Sequence, residues 1–411
     1  MAEYYDDLET RSADARAAWL AGALPRQIAH AKANAAHFGR SLKDVDPVAV
    51  ADRAALAALP VIRKSDLQAL QQAEPPLGGL NAIPAGELAR VFMSPGPIFE
   101  PEGQGPDGFR FARALFAAGF RKGELVHNTF AYHLTPAGRI CESGAHALGC
   151  PVFPAGVGNT EQQVQAIAAL KPRNYVGTPS FLRIILEKAK ELGADVSSLR
   201  HALVSGEALP PSLRADLAGY GVAVLQAYAT ADVGLIAYES EAKEGLIVDE
   251  GAVVEIVRPG TGDPVPDGEV GEVVVTVFNP DYPLVRFGTG DMSAVLAGTS
   301  PCGRTNMRIK GWMGRADQTT KIKGMFVHPG QVAEVAKRHP EVARARLEVT
   351  GEKGNDSMTL LCEVAGAPEG LAEAVGQTLT SVTKLRGAVK LVAKGELPND
   401  GKVIADLRSY E

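Results

Sequence analysis

Apolar and polar positions follow two rhythms through the middle of this chain. Between about Gly123 and Thr230, short apolar runs read as strands: VHNTFAY, PVFPAG, NYVGTP, HALVSG and AVLQAYAT. Between them lie segments with a helical repeat. One runs through Ala145 and ends near Gly149. A second covers Glu161–Leu170, with Thr160 and Gln163 predicted as its capping box. A third covers Phe181–Leu192, with Gly193 just past its end. Strands alternating with helices predict a largely parallel sheet flanked by helices. Upstream, Ser12–His37 is Ala-rich and helical in character, and Asp52–Ala58 and Lys64–Gln72 predict further short helices.

After Gly234 the rhythm changes. GAVVEIV, EVVVTVF and RFGTGDMSAV are β-rich and separated by turn clusters such as PGTGDPVPDGEVG. This predicts a β subdomain over about 235–312. Another unit begins near Arg315, with helices around Gln331–Lys337 and Gly370–Lys384 and strands Val342–Val349, Met358–Val364 and Lys390–Val392. The expected architecture is α/β: a large N-terminal domain over 1–314, built of mixed and parallel sheets flanked by helices plus the β subdomain. A small, mobile α+β domain over 315–411 follows, with the boundary near Gly314–Asp317 as a hinge.

Composition narrows the class. The chain has 411 residues, 45% of them apolar, and a net charge of −6. The basic residues are scattered, which disfavours a nucleic-acid surface. No long apolar run predicts a membrane span, and MAEYYDDLET lacks the apolar core of a secretory signal. Cys141, Cys150, Cys302 and Cys362 form no CxxC pair, so a reducing cytoplasm fits best. Cys302 reads as a structural loop cysteine rather than a metal ligand or nucleophile, because no His or Cys lies at ligand spacing.

Candidate chemistry sits at successive strand ends, where open α/β sheets bind ligands. Tyr228 and the turn Gly206-Glu207-Ala208 can sandwich a purine ring; taken alone, they read more readily as a core tyrosine and an ordinary turn. Asp232 can hold Mg²⁺ between phosphate oxygens or simply cap a helix. Asp291, which follows Gly288 and Gly290 in RFGTGD, can accept a ribose diol, and Arg315 can donate to ribose or phosphate. Lys402, on the turn-rich LPNDGK, reads alone as a solvated charge. A nicotinamide enzyme is disfavoured, since no GxGxxG follows a strand and opens a helix.

The order and spacing of YATAD, RFGTGD, GRAD, KIKG–MFVHP and LPNDGK resemble the adenylate-forming (AMP-binding) superfamily, and more closely the phenylacetate–CoA ligases. EYYDDLET, LPVIRKSDL and GTPSFLRIILE extend the resemblance over nearly the whole chain. It implies an AMP-forming acid–CoA ligase using ATP, CoA and Mg²⁺, with a carboxylic acid, aromatic by default, as partner. Neither nucleic acid nor membrane is implied, and a homodimer is left open. Gly206, Glu207 and Ala208 would line the adenine, with Tyr228 stacked on it and Ala229 and Thr230 beside the nucleotide. Asp232 would take the Mg²⁺ position. Asp291 and Arg315 would hold the ribose, Asp317 would be the hinge, and Lys402 would bridge carboxylate and α-phosphate. Tyr132, His133, Thr135 and Pro136 would wall the acid pocket and CoA tunnel.

The phosphate loop departs from that pattern. Where the family reads roughly Ser-Ser-Gly-Thr-Thr-Gly-Lys-Pro, this chain runs from Ser94 through Gly96 to Glu100 and Pro101, with Pro95 and Pro97 in place of N–H donors. The lysine becomes Glu100, an expected reversal of charge. Ala231 also replaces a hydroxyl. The alternatives are therefore an acyltransferase that uses preformed acyl-adenylate without efficient ATP chemistry, and a non-catalytic nucleotide-binding paralogue. Retention of Lys402 counts against the second.

Overall fold

The computed structural model describes residues 3–94, 97–318, 320–322, 325–352, 355–366, 368–398 and 402–408. Gly96 of the expected phosphate loop, and 399–401 just before Lys402, lie outside the described residues. Contacts divide the chain into two units: Met1–Thr289 with Ala294–Trp312, and Gly290–Ser293 with Met313–Glu411.

The first unit carries a nine-stranded sheet. Its order is Val295–Leu296, Arg308–Ile309, Leu246–Val248, Gly234–Tyr238, Ala223–Thr230, His201–Val204, Asn174–Gly177, Val126–Asn128 and Val152–Pro154. The last five are mutually parallel, and the others are antiparallel. The expected strand–helix alternation thus builds the parallel half. Helix Ala137–Leu148 closes at Gly149 with φ +84°, and Pro179–Leu192 closes at Gly193 with φ +64°. Both glycines take the left-handed cap that other residues disfavour.

One local expectation fails. Helix Thr160–Leu170 starts one residue earlier than expected; its N-cap is Asn159 at φ +49° and no side chain caps it. Gln163 is buried instead. Its Oε1 meets His127 Nε2 at 2.8 Å, and its Nε2 donates to the Gly156 and Gly158 carbonyls. Three side-chain hydrogen bonds, the one to His127 fully buried, outweigh one local cap.

The segment 235–312 is shared between two sheets. Strands Gly234–Tyr238, Leu246–Val248, Val295–Leu296 and Arg308–Ile309 extend the large one. Ala252–Val257, Gly271–Val277 and Phe287–Ser293 form a second sheet, which Ile62–Arg63 joins in parallel at its edge. The N-terminal helix Ala13–Asn34 covers this sheet: Leu20, Leu24 and Ile28 belong to one core with Val253 and Val275, and Gln27 donates to the Val277 carbonyl at 2.8 Å.

The second unit packs helices Pro329–Lys337 and Leu371–Thr383 on a four-stranded sheet. Val342–Glu352 and Asn355–Val364 pair as a long hairpin, flanked in parallel by Ile404–Asp406 and Ala388–Ala393. Val332, Val335, Leu347, Leu360, Val375 and Leu379 are its core. Among the described residues, no helix is long and apolar enough to cross a membrane.

Candidate active site

The parallel strands place their carboxyl ends along one edge. Val126–Asn128 lies between Val152–Pro154 and Asn174–Gly177, so the chain moves first to one side of it and then crosses to the other. Such a reversal opens a crevice beyond the strand ends, where ligands bind in α/β sheets. Thr129 and Phe130 follow one of these strands, and Thr178 follows the other. Thr129 donates to the Tyr175 hydroxyl at 2.8 Å, and its backbone N–H donates to the Val176 carbonyl at 2.9 Å.

The next two strand ends carry the purine candidates. Gly206 has φ +80°, and a Cβ there would stand 3.8 Å from the Phe130 ring. Ser205 Oγ donates to the Ala227 carbonyl at 2.8 Å, holding the Ser205–Ala208 turn against the neighbouring strand. Glu207 and Ala208 are exposed, and Glu207 accepts the Ser180 amide at 3.4 Å. Tyr228 is half-buried. Its hydroxyl donates to Thr289 Oγ1 at 3.2 Å, and Thr289 donates onward to the Val273 carbonyl at 3.0 Å. The phenol is anchored at its tip while part of its surface stays accessible. The register shifts between Tyr228 and Ala229, an irregularity of the kind that re-aims side chains at strand ends. Thr230 Oγ1 accepts the Val233 amide at 3.4 Å and closes the turn.

The four expected pocket residues are not equivalent. Tyr132 is turned inward, its hydroxyl accepting from Asn128 Nδ2 at 2.8 Å. Burial and the Glu142 carboxylate push its phenol well above the usual range, so it stays neutral. Pro136 is buried at the start of helix Ala137–Leu148, Thr135 is half-buried and His133 is exposed.

The described residues of the expected phosphate loop lie on two antiparallel strands, Arg90–Ser94 and Ile98–Glu102. Strand alternation turns Ile98 and Glu100 inward and leaves Phe99 outward. Glu100 therefore does not display its charge on the surface; it is 0% exposed. Its Oε2 accepts the Ser94 amide at 3.1 Å and its Oε1 accepts the Ser94 hydroxyl. Burial, with the Asp232 carboxylate adding to it, pushes the Glu100 carboxyl up to about 7. The Ser94 hydroxyl and the Lys64 ammonium pull the other way.

Asp232 pairs with Lys64 at 2.6 Å. The aspartate side chain has no exposed surface, and its Oδ1 is buried without a partner. Mg²⁺ takes near-octahedral oxygen ligands and usually keeps several waters. An enclosed carboxylate with an ammonium on one oxygen does not fit that need. Among the described residues, no group of three or more His, Cys, Asp or Glu could hold a metal. As they stand, the residues around Asp232 do not fit the expected Mg²⁺: the cation on its carboxylate is the Lys64 ammonium.

Within the second unit, Arg315 Nη1 meets Asp291 Oδ1 at 3.3 Å, and the two residues also form a backbone bridge. Gly290, at φ +76°, leaves room for the guanidinium: a Cβ there would come within 2.9 Å of Arg315 Nη2. Asp317 lies in the short turn of helix Ala316–Gln318. Lys402 is exposed, and its carbonyl accepts from Arg346 Nη1 at 3.3 Å. The next amide, Val403, donates to Gln318 Oε1 at 2.7 Å.

All four cysteines are buried thiols. Burial raises the Cys302 pKa, but hydrogen bonds from Ser240, Ser300 and Arg304 outweigh it and leave the thiol below its ordinary value.

Sequence reasoning gave no role to Lys64, Thr289 or Gln318. Lys64 and Asp232 lie 168 positions apart and Gln318 and Val403 lie 85 apart. No local pattern signals either contact.

A large unit with strand-end candidates, followed by a small α+β unit, is the architecture of adenylate-forming ligases. The chain is similar in fold to 2-hydroxyisobutyryl-CoA ligase. An open conformation of that enzyme, in complex with 2-HIB-AMP and CoA, matches at a TM-score of 0.85 and 23% identity, over 97% of this chain and 93% of that one. Its postadenylation state, in complex with 2-HIB-AMP, matches at a TM-score of 0.77 and 25% identity, over 97% and 91%. The family model described as AMP-binding enzyme matches residues 132–277. Phenylacetate–coenzyme A ligase of Thermus thermophilus is 31% identical over 396 residues, 92% of this chain and 87% of that protein. The Escherichia coli enzyme of the same name is 29% identical over 378 residues, 87% and 85%. The chain belongs to the phenylacetate–CoA ligase family of AMP-binding enzymes.

Proposed function

We propose that this chain is an AMP-forming acid–CoA ligase. A carboxylate oxygen attacks the α-phosphorus of ATP, and pyrophosphate leaves with the electron pair of the broken P–O bond. The sulfur of CoA, as thiolate, then attacks the acyl carbon of the mixed anhydride, and AMP leaves. The thiol proton passes to solvent or to a base.

The observation that carries this reading is the pairing of the Ser205–Ala208 turn with the Tyr228 strand end through Ser205 Oγ and the Ala227 carbonyl. It sets a glycine turn and a half-exposed aromatic ring side by side at strand ends, as a purine requires. Asp291 offers a carboxylate for the ribose diol, oriented by Arg315. Lys402 offers an ammonium for the charge that builds as two anionic groups approach, a role in which a fixed cation acts strongly. The Phe130 ring, which lies beside Gly206 at the end of another strand of the same sheet, favours an aromatic acid.

The test is a coupled assay with ATP, CoA and a panel of aryl and short alkyl acids, following AMP and thioester together. Equal release of AMP and thioester on an aryl acid supports the reading. Turnover on alkyl acids alone rejects the aromatic preference, and no AMP with any acid rejects the ligase.

A further inference from the structure

We propose that Glu100 is a specificity-determining residue: its side chain occupies the donors at the root of the phosphate loop, so the chain holds AMP and acyl-adenylate in preference to ATP. The inference rests on the nucleotide reading above and adds to it which phosphates the site tolerates.

A phosphate loop works by presenting backbone N–H groups and hydroxyls to anionic oxygens. In this chain the first such donors are already used. Both the amide and the hydroxyl of Ser94 are taken by the two oxygens of one internal carboxyl group. Donor and acceptor are both buried, at 7% and 0% exposure. Pro95 and Pro97 contribute no N–H at all. The carboxyl thus stands where a β- or γ-phosphate would find its partners.

Glu100 is also held there. The Gln71 amide clamps the preceding residue on both sides, donating to the Phe99 carbonyl at 2.7 Å and accepting the Phe99 amide at 2.9 Å. Around the carboxyl stand the Asp232 carboxylate, the Lys64 ammonium and the Tyr282 hydroxyl. The Lys64 ammonium forms its ion pair with Asp232, at 2.6 Å. A triphosphate entering this loop would displace an internal acceptor and meet a second carboxylate close by. AMP and an acyl-adenylate lack the two outer phosphates and avoid both penalties.

The experiment is calorimetric titration of ATP and of AMP into the full chain, as wild type, Glu100→Ala and Glu100→Gln. Glu100→Ala frees both Ser94 donors and removes the ionisable group; Glu100→Gln also removes the ionisable group but keeps one acceptor oxygen. We expect wild type to bind AMP more tightly than ATP. In Glu100→Ala the ATP affinity should rise about tenfold relative to AMP, and in Glu100→Gln about threefold, with AMP affinity unchanged in both. Retained AMP binding certifies that a variant is folded, and Glu100→Gln carries the test if Glu100→Ala does not fold. A wild type that binds AMP while neither variant moves the ATP-to-AMP ratio overturns the role of Glu100 alone. A wild type that binds neither nucleotide overturns the nucleotide reading beneath it.

Discussion

Gln318 Oε1 accepts the Val403 amide at 2.7 Å, joining the turn that contains Asp317 to the residue after Lys402. The same stretch is tied again by Thr320, whose hydroxyl donates to Asp406 Oδ2 at 2.7 Å. The segment carrying Lys402 is thus indexed to the start of the second unit rather than left to its own turn. Loss of one such bond costs about 0.5–1.5 kcal/mol. Gln318→Ala should therefore slow acyl-adenylate formation about three- to tenfold, through kcat rather than the KM for ATP. Thioester formation from supplied acyl-adenylate should change less. Single-turnover rates for the two half-reactions check this, and equal slowing of both would assign Gln318 to general stability.

Tyr228 separates ring from hydroxyl. Tyr228→Phe removes only the bond to Thr289 and should weaken AMP by less than about tenfold. Tyr228→Ala also removes the stacking face, which between a base and an aromatic side chain contributes about 1–3 kcal/mol. It should weaken AMP by roughly five- to a hundredfold. Titration of AMP into both variants gives the comparison, and similar losses in the two would deny the ring a stacking role.

Much of the fold was legible because strands and helices alternate with different periods between Gly123 and Thr230. The glycine caps at Gly149 and Gly193 were legible for a steric reason, the positive φ that ends a helix. Which sheet a strand joins was not legible. Gly234–Tyr238 and Ala252–Val257 carry the same apolar signature and part only through long-range pairing. The Thr160–Gln163 cap was outcompeted by burial of Gln163 against His127. At the candidate site, residue types announced themselves through spacing, but orientation did not. Glu100 read as a displayed charge until strand alternation put it inside, and Asp232 read as a metal ligand until Lys64 appeared beside it.

That ion pair has its own consequence. Removing Lys64 leaves an enclosed carboxylate without its cationic partner. Lys64→Met should destabilise the chain by about 3 kcal/mol, and the double variant with Asp232→Asn should recover much of the loss. Denaturant midpoints of the single and double variants measure the coupling. Full additivity would mean that the pair does not stabilise the fold.

Glu100 should also set part of the pH dependence of stability. Its carboxyl holds a proton to about pH 7 when folded, against an ordinary value of 4.5. Between those values the folded chain binds more protons than the unfolded one, so stability falls as pH rises through that window and levels off above it. Thermal melts from pH 5 to 8 should show Tm falling in wild type and falling less in Glu100→Gln. Parallel curves would assign the slope to other groups, such as Asp107, whose carboxyl burial pushes up to about 6.

The central claim is adenylation assisted by Lys402. A well-placed electrostatic stabiliser is commonly worth about 10²–10³ in rate. Lys402→Ala should therefore slow adenylate formation by at least that order. AMP binding should change little, since the proposed purine contacts come from Tyr228 and the Ser205–Ala208 turn. The decisive measurement is a pair of single-turnover assays on wild type and Lys402→Ala, one from acid and ATP, the other from synthetic acyl-adenylate and CoA. We expect the mutant to fail in the first and to keep most of its rate in the second. Equal rates for mutant and wild type from acid and ATP would contradict the ligase mechanism, as would a wild type active only from acyl-adenylate.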